Sequence, residues 1–259
     1  MSGSVNMRVE NQVAYLTLAR PESLNALNGE LIDDLSAALH DCFDPELRAV
    51  VLTGAGKAFC AGGDLAYLSG CPLLGDALGR LVLGLNRVIL DIRLLDKPVL
   101  AAVNGAAAGA GMSLALACDL RLMSEAAKFK QAYSSNGLVP DGGWTLLAPR
   151  LLGLAKATEL LLLDPVISSG EALALGLVQE VTPGDGLMAR VRILAERLAR
   201  GPGSAYAEAK ALLNQALLPE LAAHLERERQ AMIRIGNSGD AAEGLAAFLA
   251  KRAPVFNGA

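Results

Sequence analysis

Apolar positions along this chain fall into two periods. Val13 to Leu18 alternates every second residue, as a strand with one buried face does, whereas Leu31, Ile32, Leu35, Ala38 and Leu39 share one face of a 3.6-residue helix. Asn28 stands where that helix needs an N-cap. Ala49 to Leu52 is a short apolar run, hence a second strand, closed by Thr53-Gly54-Ala55-Gly56. A glycine-bearing loop, Phe59-Cys60-Ala61-Gly62-Gly63-Asp64, follows and opens a helix at Leu65, and the leucine-rich stretch from Leu65 to Leu95 keeps a helical period. Leu120 to Met123 predicts another buried strand. Strand, loop and helix succeed one another, which is the α/β pattern.

One segment breaks the pattern. Pro98 to Cys118 runs 21 residues, PVLAAVNGAAAGAGMSLALAC, without a charge. It has the length of a membrane span but not the residues, because eight alanines, three glycines, Pro98 and Asn104 give little transfer energy. As part of a water-soluble fold it predicts a strand from Val99 to Val103, an Asn104-Gly105 turn, a glycine-spaced loop and a helix from about Gly111. A strand feeding a glycine loop that opens a helix gathers unpaired amides and the positive end of the helix dipole at one point. Such a point suits an anion or a developing oxyanion. A dinucleotide site would want Gly-x-Gly-x-x-Gly, but Gly109-Ala110-Gly111 is followed by Met112, Ser113 and Leu114. Ser113 grazes the Gly-x-Ser-x-Gly pattern of hydrolases, yet the chain has only His40 and His224 to serve as a base.

Composition narrows the class. The chain has 259 residues, 53% of them hydrophobic but only 4% aromatic, so its core is built from Ala, Leu and Val. A net charge of −4 argues against nucleic acid as a partner. Cys42, Cys60, Cys71 and Cys118 form no Cys-x-x-Cys pair and have no neighbouring histidines, which points to reduced thiols and to no metal site. The N-terminal MSGSVNMRVE lacks a basic stretch followed by an apolar core, so a cytoplasmic location is expected, with no membrane partner.

Two loops of similar design, at Ala61 and at Ala110, can each offer one backbone N–H to a shared site. Asp64 reads first as the N-cap of the helix at Leu65. Asp141 lies in Gly137-Leu138-Val139-Pro140-Asp141-Gly142-Gly143, between a proline and two glycines, where a turn residue is the ordinary reading.

Taken together, these segments resemble the crotonase, or enoyl-CoA hydratase/isomerase, superfamily over nearly the whole chain. Arg20-Pro21 through Asn25-Ala26-Leu27 is similar to its early adenine-side loop, Gly54 to Leu65 to its first oxyanion loop, and Lys97-Pro98 through Asp119-Leu120 to its second. The resemblance implies a spiral of strand–strand–helix turns forming two stacked sheets, followed by a helical C-terminal region that packs between subunits of a trimer or a dimer of trimers. Gly201-Pro202-Gly203 breaks a helix ending near Arg200 and lets another begin at Ser204, dividing a core of residues 1–200 from a helical oligomerisation region of 201–259.

The resemblance also implies a chemistry. A coenzyme A thioester would place its carbonyl oxygen between the amides of Ala61 and Ala110, where losing one donor costs about 3 to 4 kcal/mol of barrier. Ala26, Gly62, Gly63, Asp64, Leu65 and Tyr133 would line the substrate, and Lys251 would meet coenzyme A phosphate. No separate cofactor is expected, since coenzyme A is part of the substrate. The two glutamates of the hydratase pattern align with Ser113 and Tyr133, and neither supplies a carboxylate. Isomerases of the family, the epoxyphenylacetyl-CoA and dienoyl-CoA types among them, carry an aspartate at the position of Asp141. Asn86 stands where the dehalogenating members carry a histidine. The expectation is therefore an enoyl-CoA isomerase with Asp141 as its acid/base; the alternatives are an enoyl-CoA hydratase, a non-catalytic acyl-CoA-binding member and, more distantly, a nicotinamide-dependent oxidoreductase.

Overall fold

A computed structural model describes residues 3–258. Met1, Ser2 and Ala259, at the outer ends of the two expected regions and of the N-terminal reading, lie outside the described residues. Among those described are ten strands: β1 (Val5–Glu10), β2 (Val13–Leu18), β3 (Ala49–Gly54), β4 (Ala58–Cys60), β5 (Val99–Val103), β6 (Ala106–Ala108), β7 (Leu120–Ser124), β8 (Lys128–Lys130), β9 (Ile167–Ser168) and β10 (Glu180–Thr182). Eleven α-helices accompany them: α1 (Gly29–Asp41), α2 (Leu65–Ser69), α3 (Leu74–Leu94), α4 (Ala110–Ala117), α5 (Trp144–Leu152), α6 (Leu154–Leu163), α7 (Ser169–Ala174), α8 (Leu187–Ala199), α9 (Gly203–Leu217), α10 (Leu221–Gly236) and α11 (Gly239–Leu249).

The strands form two sheets. One has the order β1-β2-β3-β5-β7-β10, antiparallel only at the β1–β2 hairpin; the other has the order β4-β6-β8-β9, antiparallel only at β9. Three times the chain runs a strand through the large sheet, a three-residue strand through the small one, and then a helix: β3, β4 and α2–α3; β5, β6 and α4; β7, β8 and α5. This is the expected spiral of strand–strand–helix turns. The short strands were not visible in the sequence, and Ala106 to Ala108 reads there as loop, because three alanines carry no alternation to detect.

Parallel strands covered on both faces become apolar throughout. Alternate residues of β2, β3 and β5 point to opposite sides: Ala14, Leu16, Val50, Leu52 and Ala101 enter the main core. Val13, Tyr15, Val51 and Leu100 meet Leu187, Val191 and Ala195 of α8. The uncharged stretch is β5, β6 and α4. All eight residues of α4 are buried, which explains why it lacks a polar face. Among the described residues no helix is long and apolar enough to cross a membrane.

The chain past Arg200 is bound to the spiral core. Lys210 of α9 donates to the carbonyls of Ile92 and Lys97 at 2.9 and 3.2 Å and to Asp119 Oδ2 at 2.8 Å. Arg93 meets the other Asp119 oxygen at 2.9 Å. Helix α10 crosses α3 with backbones nearly touching: a Cβ on Gly236 would lie 2.8 Å from the Cα of Gly75. Met232 of α10 and Phe248 and Leu249 of α11 line the same cavity as Leu78, Leu81 and Val82 of α3.

Candidate active site

A cavity of about 530 Å³ lies between α2, α3, the loops before α2 and α4, and the C-terminal helices. Leu65, Leu68, Leu78, Leu81, Val82 and Met232 make its wall apolar. Backbone from Ala61 to Asp64 and from Ala108 to Ala110 forms another side, and Tyr133 and Asp141 are among its polar side chains, with Asp64, Lys130, Ser135 and Asn136.

The two amide-bearing loops are held against each other at Gly62. Its φ of +95° is one an L side chain rarely adopts, and an added Cβ would sit 2.8 Å from the Ala108 carbonyl oxygen and 3.5 Å from the Ala110 nitrogen. The Gly62 carbonyl accepts from Leu27 N–H at 2.7 Å, and Asp64 N–H donates to the Leu27 carbonyl at 2.9 Å, so the loop pairs with the segment after Asn25 as a short strand would. That segment is itself strained, with Leu24 and Asn25 at φ of 55° and 57°. Buried Asn25 compensates by donating to the carbonyls of Ala55 and Ala58 and accepting from Arg20 N–H.

This pairing decides which amides are available. The expected donor, Ala61 N–H, is committed to the Leu24 carbonyl at 3.1 Å. Two residues on, the Gly63 amide has no hydrogen-bond partner among the described residues. Ala110 is the first residue of α4, whose first turn closes with Met112 and Ser113 donating to the Gly109 carbonyl, so its own amide precedes the intrahelical ladder. Sequence spacing could not separate Ala61 from Gly63, because the distinction rests on a contact with the distant Leu24.

Asp141 is buried, at 5% exposure, as is Tyr133. The Tyr133 hydroxyl donates to Asp141 Oδ1 at 2.7 Å, the Ser113 hydroxyl donates to the Asp141 carbonyl at 2.8 Å, and the two hydroxyls lie 3.3 Å apart. Burial pushes the Asp141 carboxyl up to about 7; the Tyr133 hydrogen bond opposes this and the charge of Glu228 adds to it. Tyr133 is raised well above the usual phenol range, first by burial and then by Asp141. A carboxyl that titrates near neutrality inside an apolar cavity is suited to proton transfer.

The remaining expected residues divide. Ala26, Gly62 and Leu65 line the cavity, and the Ala26 carbonyl accepts from Arg20 Nη1 at 2.6 Å. Asp64 lines it too, but its carboxylate caps α2 by accepting from Tyr67 N–H and pairs with Arg20 Nη2, each at 3.1 Å. Lys251 is exposed beyond α11 and is not part of the lining, whereas Phe248 and Leu249 of that helix are. Asn86 ties α3 to α10 by donating to the Leu225 carbonyl at 3.1 Å. Among the described residues no His, Cys, Asp and Glu cluster could hold a metal ion.

Glu228 is the residue the sequence reading missed. It is 5% exposed and binds the turn that follows Asp141. A signal was available: Leu221, Leu225, Glu228 and Met232 share one face of α10, so this carboxylate interrupts an apolar stripe.

Comparison with known proteins adds an independent line. The family profile described as Enoyl-CoA hydratase/isomerase matches residues 8–259. A 1,2-epoxyphenylacetyl-CoA isomerase of Escherichia coli is 39% identical over 96% of this chain and 97% of its own. A short-chain-enoyl-CoA hydratase of Clostridium acetobutylicum is 33% identical over 96% and 95%. The crystal structure of an enoyl-CoA hydratase from Mycobacterium avium subsp. paratuberculosis superposes with a TM-score of 0.90 at 36% identity, covering 98% of this chain and 99% of that one.

Proposed function

The chain belongs to the enoyl-CoA hydratase/isomerase family, and from that premise we propose that it moves a double bond along an acyl-CoA thioester by a one-carboxylate proton shuttle. The observation that carries this reading is that the cavity lining contains two carboxylates, and Asp64 is already engaged by Arg20 and by the amide of Tyr67. Asp141 alone is left to exchange a proton with substrate.

In the proposed reaction the thioester oxygen sits between the amides of Gly63 and Ala110. Asp141 Oδ2 takes a proton from the carbon next to the thioester of a 3-enoyl-CoA, and the electron pair spreads into a dienolate whose charge rests on that oxygen. Two fixed N–H donors in a dry cavity stabilise it without reorganising. The same carboxyl, now protonated, returns the proton two carbons farther on, leaving a 2-enoyl-CoA of unchanged mass. Tyr133 keeps Oδ1 occupied throughout, so a single oxygen carries the proton. No cofactor is consumed, because coenzyme A is part of the substrate. Exposed Leu154, Leu162, Leu163 and Val166, around α6, support association with further copies, and the homotrimer or homohexamer that the family resemblance implies would sediment at three or six times the 26.8 kDa chain.

Hydration is the second reading, favoured by the names of more of the relatives. The experiment that decides is incubation with 3-enoyl-CoA and 2-enoyl-CoA, reading products by mass and by the ultraviolet absorbance of the conjugated 2-enoyl thioester. Isomerisation leaves the mass unchanged, and hydration adds that of water. Asp141→Asn is expected to lower isomerase turnover about 100-fold or more while thioester affinity stays within about twofold. Brisk hydration of 2-enoyl-CoA without any double-bond shift would overturn the reading, as would full isomerase activity in Asp141→Asn.

A further inference from the structure

Helix α5 starts three residues after Asp141 and brings no side-chain cap of its own. Gly143, at its N-cap, has a φ of 82°. The cap comes instead from α10, 85 residues along the chain: Glu228 Oε2 accepts from Gly143 N–H at 2.7 Å, and Oε1 accepts from Thr145 N–H at 2.9 Å and from the Thr145 hydroxyl at 2.5 Å. The three hydrogen bonds its two oxygens accept favour the ionised carboxylate, against burial, which pushes the Glu228 pKa up. Its charge faces the positive end of α5, where it is best tolerated. His224 Nε2 lies 2.7 Å from the Thr145 hydroxyl, and since that hydroxyl gives its one hydrogen to Glu228, the histidine is the donor.

The turn so anchored carries Asp141. Trp144 N–H donates to the Asp141 carbonyl at 3.2 Å, and Ser113 donates to the same oxygen. Gly142, at φ +61°, lies so close to Ser113 that a Cβ there would come within 2.9 Å of the serine Cβ. With Ser113 on one side and Glu228 on the other, the backbone of Asp141 has little freedom.

We propose that Glu228 is a positioning residue for the Asp141 carboxyl: from α10 it anchors the turn that carries Asp141 and sets a buried carboxylate beside that turn. The inference rests on Asp141 as the proton carrier. The groups that act on that carboxyl are Tyr133 from the loop after β8 and Glu228 from α10. Around Glu228 stand His224 on its own helix and Gly143 and Thr145 of α5, while Arg227, Arg150 and Glu220 act on His224. Burial and the two arginines keep His224 below its usual range, which favours the neutral ring, so Glu228 is met by hydrogen bonds and the start of α5 rather than by a cation.

The test is a ¹³C titration of the side-chain carboxyls in aspartate-labelled protein without substrate, with the Asp141 resonance assigned by its absence in Asp141→Asn. Glu228→Gln removes the charge and keeps the shape. The Asp141 midpoint is expected to fall by about 0.5 unit or more, as when a like charge several ångströms away is removed. The acidic limb of kcat is expected to move the same way, and Glu228→Asp to restore most of both shifts. An unmoved midpoint in folded Glu228→Gln overturns the proposal. Should Glu228→Gln not fold, Glu228→Asp decides: a carboxylate withdrawn by one methylene is expected to lower kcat about tenfold or more at unchanged KM, and full kcat overturns the positioning. The titration needs no turnover, so it stands even if Asp141→Asn retains activity, a result that would sink the acid/base reading alone.

Discussion

The hydroxyl of Tyr133 donates to Oδ1 of Asp141 at 2.7 Å, with both side chains buried. This contact keeps one carboxylate oxygen on a fixed partner and leaves the other without a hydrogen-bond partner among the described residues, on a side chain that lines the cavity. It also counters the effect of burial, since a hydrogen bond to the charged form favours that form.

Tyr133→Phe removes that donor with little change in shape. The Asp141 pKa is expected to rise further, so the acidic limb of the kcat profile should move to higher pH, opposite to the shift expected for Glu228→Gln. At pH 7 a smaller fraction of Asp141 is then ionised, and turnover should fall about tenfold. A profile that shifts downward, or does not shift, would contradict the role given to this hydrogen bond.

Asp141 should also leave a mark on stability. A carboxyl whose folded-state pKa exceeds its unfolded value stabilises the fold fully below the unfolded pKa and loses that contribution as pH rises through the folded one. For Asp141 the window runs from the ordinary aspartate value of 3.8 to about 7. Asp141→Asn, which can still accept from Tyr133, is therefore expected to be the more stable protein at pH 8 by a few kcal/mol. The difference should close towards pH 4. Urea denaturation at several pH values measures it, and a variant less stable than wild type at pH 8 would refute the placement of a strained charge here.

Neighbouring glycines in the first amide loop should respond unequally. At Gly62 a methyl meets the Ala108 carbonyl at 2.8 Å on a backbone with φ +95°, whereas at Gly63 the nearest atoms are Leu81 Cδ2 at 3.5 Å and Leu68 Cδ1 at 3.8 Å, an ordinary contact. Gly62→Ala must push the two loops apart and is expected to lower kcat about 10- to 100-fold by misplacing the donors. Gly63→Ala keeps its N–H and should stay within about threefold of wild type. Equal losses in the two variants would show that loop spacing does not control the oxyanion site.

Much of this protein was legible in its sequence. The strands β2, β3, β5 and β7 and the helix α1 announce themselves because burial of a regular element imposes a period on its own residues. The Asn28 and Asp64 caps are equally local, each accepting from an amide three residues on. The family resemblance, carried by glycine loops in a set order, led to the spiral and to Asp141. What stayed hidden depends on contacts between distant segments. The amide of Ala61 rather than Gly63 is consumed because Leu24 lies beside it; Asp141 accepts from Tyr133 8 residues away, and the Gly143 amide just after it donates to Glu228 85 residues away. Periodicity records which face of an element is buried, but hydrogen bonds between loops leave no period behind; only the folded chain decides which donor is free and which carboxylate can hold a proton near neutral pH.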